Sequence, residues 1–297
     1  GNVVETPEGL FRRVASSLAA AESRFGGDVD ETERRFYEAM AGLDFLPNSP
    51  TLMNAGTELG QLAACFVLPI EDTLPAIFDA LKHTALIHQS GGGTGFSFSK
   101  LRPQGDVVAK TGGVASGPVS FMRIFDAATE QIKQGGRRRG ANMGVLSVDH
   151  PDVEDFVTAK AEPDAFRNFN LSVATTGAFW DAYEADEAYD LVNPRTGEVV
   201  ASADPARILD LVSQMAWGAG DPGLLFVDRI NDDNPTPGQG LISATNPCGE
   251  VPLLPYEACV LGSVNLGHHT DGDAVDWEKL RETVHLGIRL IDDAIEE

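Results

Sequence analysis

Short apolar runs alternate with helical patterns along most of this 297-residue chain, and this alternation limits the possible folds more than any other feature. Runs of strand length lie at residues 64–68, 93–98, 143–148 and 170–174. Helical patterns lie between and after them, at residues 75–88, 119–133, 152–160 and 204–219. Strands that alternate with helices in this way form parallel βαβ units. We therefore expect an α/β protein built on a parallel sheet.

The N-terminal part of the chain has a purely helical pattern. Thr6 and Pro7 form a typical helix start, since proline is favoured at the first helical position. Apolar residues then recur at helical spacing, and a second helix is expected after Asp30. We expect a helical segment over residues 1–45 and an α/β domain over residues 46–297.

An apolar helical pattern is still in progress at the last residue, which predicts that the chain is truncated at its C-terminus. The positions that carry this pattern are Val284, Ile288, Ile291 and Ile295. The composition, with 42% hydrophobic and 23% charged residues, is typical of a globular protein. No apolar run reaches the roughly eighteen residues of a membrane span, and no secretory signal is visible at the N-terminus. These observations predict a cytoplasmic protein that does not bind a membrane.

The formal net charge is -23, and lysine is scarce. The lysines are Lys82, Lys100, Lys110, Lys133, Lys160 and Lys279. Such a surface disfavours a nucleic-acid partner, because neutralising phosphates requires clustered lysine and arginine. It favours adaptation to high salt, where ions screen the repulsion between carboxylates. A moderately acidic bacterial enzyme is the alternative interpretation.

The cysteines are Cys65, Cys248 and Cys259, too few and too odd a number for a secreted disulfide framework. No CxxC pair occurs and the histidines show no ligand spacing, so we expect no metal site held by protein ligands. Three unrelated packing thiols are the simplest interpretation of these residues alone.

The segment around Cys248 suggests a different interpretation. In extended chain, Asn246, Cys248 and Glu250 would project from one side, with Pro247 and Gly249 between them. Proline cannot donate a ladder hydrogen bond, so we expect a loop or tip here, not a central strand. A thiol between an amide and a carboxylate can address a diol, with the carboxylate as base. The alternative is a buried packing cysteine beside a surface glutamate.

Five ordered blocks of sequence resemble the catalytic subunit of ribonucleotide reductases, and the resemblance extends over nearly all of the chain from Thr6. The blocks are residues 47–56, the strand that contains Cys65, residues 91–96, residues 134–142, and residues 246–250 with 252–253 and 259–266. The family fold implied is a ten-stranded α/β barrel made of two parallel five-stranded halves, with a finger loop through its centre. This chain would hold the helical segment, the first half-barrel and the finger loop.

The resemblance implies a radical mechanism. Cys248 would carry a thiyl radical that abstracts the ribose 3′ hydrogen, while Glu250 deprotonates the 3′ hydroxyl and Asn246 holds the sugar. Cys65 and Cys259 match the dithiol that becomes a disulfide as the 2′ hydroxyl leaves as water. The 11-residue separation between Cys248 and Cys259 and the run at residues 88–96 resemble the adenosylcobalamin-dependent (class II) enzymes. The cofactor implied is therefore adenosylcobalamin.

The family's binding positions carry over residue by residue. The substrate positions are Ser49, Ala64, Gly93, Pro247 and Gly249. The positions for an allosteric deoxynucleotide or ATP effector are Asp72, Arg102, Lys110, Lys133, Gln134 and Arg138. Residues 112–114 match the mobile first specificity loop, and residues 133–140 match the second. The resemblance further implies a homodimer and re-reduction by an external dithiol protein such as thioredoxin.

Three alternatives remain open at this point. One is a class I catalytic subunit, which takes its radical from a separate metal-containing protein. Another is a nucleotide-binding regulatory module without catalysis. A third is another thiyl-radical enzyme of similar barrel architecture, although such enzymes lack the reducing cysteine pair. The sequence does not distinguish a diphosphate from a triphosphate substrate.

Overall fold

The computed structural model describes residues 4–108, 112–134 and 138–297. Within them the chain forms two compact units. The smaller unit contains the residues up to Ala64 together with Ala258–Glu297, and the larger unit is Cys65–Glu257. The predicted division between residues 45 and 46 stays a prediction. No helix of the described residues is long and apolar enough to cross a lipid bilayer.

The described residues contain ten α-helices and eighteen short strands. The helices are α1 (Pro7–Ala19), α2 (Val29–Ala41), α3 (Ser49–Asn54), α4 (Leu74–Gln89), α5 (Pro118–Gln131), α6 (Val153–Val157), α7 (Gly177–Ala185), α8 (Pro205–Ala219), α9 (Val227–Asp232) and α10 (Trp277–Glu296). The first nine strands are β1 (Phe45–Pro47), β2 (Cys65–Val67), β3 (Gly93–Ser97), β4 (Val107–Val108), β5 (Gly113–Val114), β6 (Lys133–Gln134), β7 (Arg138–Arg139), β8 (Asn142–Ser147) and β9 (Phe169–Thr175). The remaining strands are β10 (Tyr189–Val192), β11 (Val199–Ala203), β12 (Gly223–Phe226), β13 (Ala244–Thr245), β14 (Pro252–Leu253), β15 (Ala258–Cys259), β16 (Gly262–Val264), β17 (Thr270–Asp271) and β18 (Ala274–Val275).

The larger unit is built on five parallel strands in the order β2-β3-β8-β9-β12. Helices α4, α5 and α6 connect successive strands, and α7 and α8 lie between β9 and β12 in the chain. Neighbours in sequence are therefore neighbours in the sheet, as short parallel crossovers favour. The α/β arrangement on a parallel sheet that the alternating pattern predicted is confirmed, and the fifth strand, β12, was not among the predicted runs.

The two faces of this sheet carry different side chains. One face packs a large apolar core in which Phe96, Phe98 and Phe125 are fully buried and Phe96 and Phe125 lie 5.1 Å apart at their ring centroids. The other face buries a smaller apolar cluster that includes Met143 and Val145. Because strand residues alternate between faces, one strand can serve both the core and a second structure packed on the opposite side.

Several helix boundaries follow from capping chemistry that is legible in the sequence. The Thr6 hydroxyl accepts a hydrogen bond from Gly9 N at 3.1 Å, as the predicted start of α1 requires. Helix α8 ends at Ala219, as the predicted range of 204–219 requires, and its C-cap Gly220 has φ of 81°. Two predictions of extent were wrong. Helix α2 begins before Asp30, because Asp28 caps it, and α6 ends at Val157, short of residue 160.

The hairpin of β10 and β11 was not predicted, although it carries a period-two signal. Tyr189 and Leu191 are buried, while Asp190 between them is exposed. The strands pair antiparallel, with Tyr189 opposite Ala203. The turn between them contains Asn193-Pro194-Arg195-Thr196-Gly197, which is typical of a tight connection.

In the smaller unit, the predicted C-terminal helix is present as α10, but its most apolar side is not its buried side. The buried residues include Gly287, Leu290 and Ala294. Ile288 and Ile295, which belong to the stripe read from the sequence, are 58% and 72% exposed. The period of the apolar pattern correctly predicted a helix, but the buried residues lie one position before the predicted apolar ones.

A buried carboxyl in α10 makes the stability of the smaller unit depend on pH. Asp293 is 3% exposed and its Oδ2 atom has no hydrogen-bond partner among the described residues. Burial, together with the neighbouring charge of Glu22, raises the pKa of Asp293 to about 6. The side chain of Arg289 donates to both carboxylate oxygens of Glu22 and lowers the pKa of that group instead.

We predict that Asp293→Asn raises the unfolding free energy by about 1–3 kcal/mol at pH 7, where the wild-type carboxylate is ionised and incompletely paired. A carboxyl whose pKa is raised by folding stabilises the folded state below its unfolded pKa, and loses that contribution as pH rises through about 6. The advantage of the variant should therefore vanish near pH 4. Urea titrations from pH 4 to pH 8 measure this difference, with exposed Asp292→Asn as control. An advantage that is equal at all pH values would contradict it.

Candidate active site

Cys248 lies at the tip of a hairpin formed by β13 and β14, in which Ala244 is opposite Leu253 and Thr245 is opposite Pro252. The tip is a tight turn, because Gly249 N donates to Asn246 O at 3.1 Å. Gly249 has φ of 85°, a conformation that favours glycine. The prediction of a loop or tip at this segment is confirmed. We call residues 244–253 the finger hairpin.

The finger hairpin lies against β3 because two glycines there have no side chains. A Cβ on Gly95 would lie 1.8 Å from the carbonyl oxygen of Thr245, and a Cβ on Gly93 would lie 2.6 Å from Cγ of Pro247. Asn170 in β9 fixes the tip from the side, since its Nδ2 donates to Pro247 O at 2.8 Å. The structure thus places Gly93 beside Pro247, immediately before the candidate radical residue.

The predicted common projection of Asn246, Cys248 and Glu250 was wrong. Asn246 is completely buried, where its Nδ2 donates to Cys65 Sγ at 3.5 Å and its Oδ1 accepts from Val251 N at 3.0 Å. Cys248 and Glu250 are exposed. The prediction assumed extended chain, but the backbone turns at Pro247 and Cys248. The hairpin presents the thiol and the carboxylate, while the amide faces the interior.

The remaining predicted substrate and redox residues are divided between the two units. Cys65 is buried at the start of β2 in the larger unit. In the smaller unit, Ala64 N donates to Cys259 O at 2.9 Å, and Ser49 is the first residue of α3. Cys259 itself is half-buried. Pairing of Cys65 with Cys259 stays a prediction.

A separate cavity of about 620 Å³ in the larger unit brings together two of the predicted effector residues. Asp72 and Arg102 both line it, and Arg102 Nε donates to Asp72 Oδ2 at 2.8 Å. Thr73 and Gly117, the N-caps of α4 and α5, line the same cavity, so the positive ends of two helix dipoles lie beside it. Its size is that of a typical small-molecule site.

The other effector predictions are only partly described. Lys110 lies outside the described residues. Lys133 and Gln134 form β6, which pairs antiparallel with β7, so that Gln134 is opposite Arg138. The described parts of the predicted second specificity loop, residues 133–134 and 138–139, therefore pair as the two arms of a hairpin.

A buried polar cluster at the base of that hairpin was missed by the sequence analysis. His88 Nε2 lies 3.1 Å from Thr94 Oγ1, and the Thr94 hydroxyl donates to Asn142 Oδ1 at 2.8 Å. Asn142 Nδ2 in turn donates to Thr129 Oγ1 at 2.9 Å. Burial lowers the pKa of His88 to about 4, so the ring is neutral near pH 7. A Cβ on Gly140 would lie 2.6 Å from His88 Nδ1.

This cluster lies between Gly140, the last residue of the predicted second specificity loop, and the start of β3, where Gly93 meets the finger hairpin. Nothing in the sequence marks His88 as different from the other histidines. Within the described parts of the chain, no group of three or more His, Cys, Asp or Glu side chains is arranged to hold a metal ion.

Comparison with known proteins agrees with an N-terminal helical region that is followed by a parallel α/β sheet. Residues 63–297 match the family described as ribonucleotide reductase, barrel domain, and residues 1–60 match ribonucleotide reductase, all-alpha domain. The chain belongs to the ribonucleotide reductase large-subunit family, as its motifs predicted.

Individual relatives carry more specific names. A protein of Thermoplasma acidophilum named vitamin B12-dependent ribonucleoside-diphosphate reductase is 56% identical over 354 aligned positions, which cover 100% of this chain and 46% of that protein. A Mycobacterium tuberculosis protein of the same name is 53% identical over 298 positions, covering 100% of this chain and 43% of that protein. A Chlamydia trachomatis protein named ribonucleoside-diphosphate reductase subunit alpha is 27% identical over 99% of this chain and 31% of that protein. The chain thus spans less than half the length of these relatives.

Proposed function

We propose that this chain supplies the radical cysteine of a ribonucleotide reductase that converts ribonucleotides into 2′-deoxyribonucleotides. The observation that carries the proposal is the position of Cys248, exposed at the tip of a hairpin that packs on one face of a parallel sheet. The names of the Thermoplasma and Mycobacterium relatives favour a ribonucleoside diphosphate as substrate over a triphosphate. They also favour the vitamin B12-dependent class over class I.

In the proposed reaction, the Cys248 thiyl radical takes the hydrogen atom from ribose C3′ and later returns it. Glu250, exposed two residues away, accepts the proton of the 3′ hydroxyl. The 2′ hydroxyl leaves as water, and Cys65 and Cys259 together give up two electrons and two protons as they form a disulfide. Asn246 holds Cys65 through its amide and, with its turn, orients the tip toward the sugar.

The chain's own residues fit a bulky radical source outside the chain. Cys248 is exposed, and its neighbour Gly249 has no side chain; a Cβ there would have only Met143 Cε within 4 Å, at 3.5 Å. Bound adenosylcobalamin would supply the one-electron oxidation of the Cys248 thiol. The part of the chain described here holds that thiol at a fixed place through the Asn170 hydrogen bond to Pro247.

The binding residues complete the proposal. We assign the substrate to Ser49, Ala64, Gly93, Pro247 and Gly249. We assign a deoxynucleotide or ATP effector to Asp72, Arg102, Lys110, Lys133, Gln134 and Arg138, of which Asp72 and Arg102 line the 620 Å³ cavity. An external dithiol protein such as thioredoxin and a cytoplasmic location belong to the same proposal, because the disulfide must be reduced after each turnover. The homodimer that the resemblance implies belongs to it as well.

The test is ribonucleotide reduction by the wild type and by Cys248→Ser, with a dithiol, in strong salt. Because the chain spans 46% of the Thermoplasma relative, the remainder of that relative is supplied in trans. We expect turnover that requires adenosylcobalamin and disappears in Cys248→Ser, because serine cannot carry the radical. The matched control is Ser263→Ala, which changes a hydroxyl in β16 that is exposed.

Three outcomes discriminate the alternatives. Turnover that needs both adenosylcobalamin and Cys248 supports the proposal. Cysteine-dependent turnover that needs a metal-containing partner subunit instead moves the chain to class I. Nucleotide binding without any turnover, with the assembled protein shown to be folded, favours a non-catalytic regulatory module.

A further inference from the structure

An arginine that none of the recognised motifs contains lines the predicted effector cavity. Arg195 lies in the turn of the β10–β11 hairpin, between residues 192 and 199. It lines the same cavity as Asp72 and Arg102. Its side chain is 39% exposed. The hairpin is distant in sequence from both specificity loops, so motif comparison gives no reason to examine it.

The guanidinium of Arg195 is held in a fixed orientation by Asp106. Arg195 Nε donates to Asp106 Oδ2 and Nη2 donates to Asp106 Oδ1, both at 2.8 Å. This two-point arrangement fixes the plane of the guanidinium as well as its position. The Arg195 backbone is fixed too, since its N–H donates to Asn193 Oδ1 at 2.9 Å.

The Asp106 carboxylate is itself held in place by further hydrogen bonds. Its side chain is 10% exposed, and it also accepts from Asn193 Nδ2 at 3.1 Å and from Val107 N at 2.7 Å. These bonds, that of Arg195 first, hold the pKa of Asp106 far below its usual range. Asp106 is therefore an ionised partner for Arg195, and it also holds the backbone N–H of Val107, which lines the same cavity.

The cavity is therefore lined by the arginine of this ion pair and not by the aspartate. Arg195 lines the cavity and Asp106 does not. A guanidinium has five N–H donors, and Asp106 uses two of those on Arg195. Asp72 also contributes to the raised pKa of Arg195, so the charges lie near one another around the cavity. In contrast, Arg102 donates from all three nitrogens: Nε to Asp72 Oδ2, Nη1 to Val107 O and Nη2 to Asp72 O.

We propose that Arg195 binds the phosphate groups of the effector nucleotide, and that Asp106 is the residue that positions it. This inference rests on the proposed function, because it assumes that the cavity takes a nucleotide. It adds a binding residue from a hairpin outside both specificity loops. It also connects that hairpin to the base of the first loop, since Asp106 immediately precedes β4.

The test is a calorimetric titration of the chain with each deoxynucleoside triphosphate and with ATP, and with the matching nucleosides. The variants are Arg195→Gln, Arg195→Lys and Asp106→Asn, with Arg207→Gln as control. Arg207 also pairs with a carboxylate, that of Glu154 at 2.7 Å, but on helix α8 and not at this cavity. All titrations use one salt concentration, because salt screens such contacts.

We expect Arg195→Gln to weaken triphosphate binding by about 10- to 100-fold, as for the loss of a charge-assisted hydrogen bond, and to leave nucleoside binding unchanged. Arg195→Lys should restore part of the affinity, and Asp106→Asn should weaken triphosphate binding several-fold without changing nucleoside binding. A purely structural role would lower the affinity for both ligand types equally. Unchanged triphosphate binding by Arg195→Gln overturns the inference alone. Failure of the wild type to bind any nucleotide overturns the effector site itself, and the inference with it.

Discussion

Replacing Gly95 by alanine should displace the finger hairpin and cost about 3 kcal/mol or more of unfolding free energy. The added Cβ would lie 1.8 Å from the carbonyl oxygen of Thr245, which is backbone and cannot rotate away. The hairpin would have to move off β3 as a whole, and Cys248 would move with it. Urea unfolding measures the stability, and the rate at which a thiol reagent labels Cys248 measures the displacement.

The matched control for this substitution is Gly218→Ala. Gly218 lies in α8, and a Cβ there meets nothing within 4 Å. Alanine is the better helix former, so this variant should be stabilised by up to about 1 kcal/mol. The close packing of the hairpin on β3 would be contradicted if Gly95→Ala unfolded at the same urea concentration as the wild type.

Replacing Lys160 by methionine should destabilise the larger unit by about 3 kcal/mol, because it leaves a carboxylate buried without its counter-ion. Lys160 Nζ donates to Asp221 Oδ2 at 2.6 Å and to Phe169 O at 2.7 Å. Both side chains of the pair are largely buried, at 17% and 13% exposure. Asp221 Oδ1 accepts from Leu171 N at 2.9 Å, so the ion pair also supports β9.

A second substitution separates the charge from the hydrogen bonds. Asp221→Asn added to Lys160→Met should recover most of the loss, since the neutral amide keeps an acceptor for Leu171 N. A double-mutant cycle with the exposed pair Arg167 and Asp164 provides the comparison, for which a coupling below about 1 kcal/mol is expected. Equal losses in the single and double Lys160 variants would show that the desolvated charge of Asp221 is not the cause.

The sequence was sufficient for four of the five parallel strands of the larger unit, β2, β3, β8 and β9, and for helices α4, α5, α6 and α8. Alternation of apolar runs with helical periods reports which face of each element is buried, and the parallel connections follow from the lengths between them. Caps such as Thr6 and Gly220 were legible for the same reason, because they act on residues within one turn.

The geometry of the site required the structure. The turn at Pro247 and Cys248 buries Asn246, and this depends on contacts with Cys65 and Val251, of which Cys65 is far away in sequence. The cluster around His88 likewise joins residues from four elements whose proximity no local pattern reports. Arg195 reaches its cavity because it lies in the turn of the β10–β11 hairpin, whose period-two signal is confined to Tyr189, Asp190 and Leu191 of β10.

Along strand β3, Gly93 and Gly95 face the finger hairpin, and Phe96 packs its ring into the core on the opposite face. If the pairing of β3 slipped by one residue, the side chains on its two faces would be exchanged. The ring of Phe96 would then occupy the space that the backbone of Thr245 now fills. Chains with the wrong register would therefore be unable to seat the hairpin at all. Correct placement of Cys248 therefore depends on the correct register of β3.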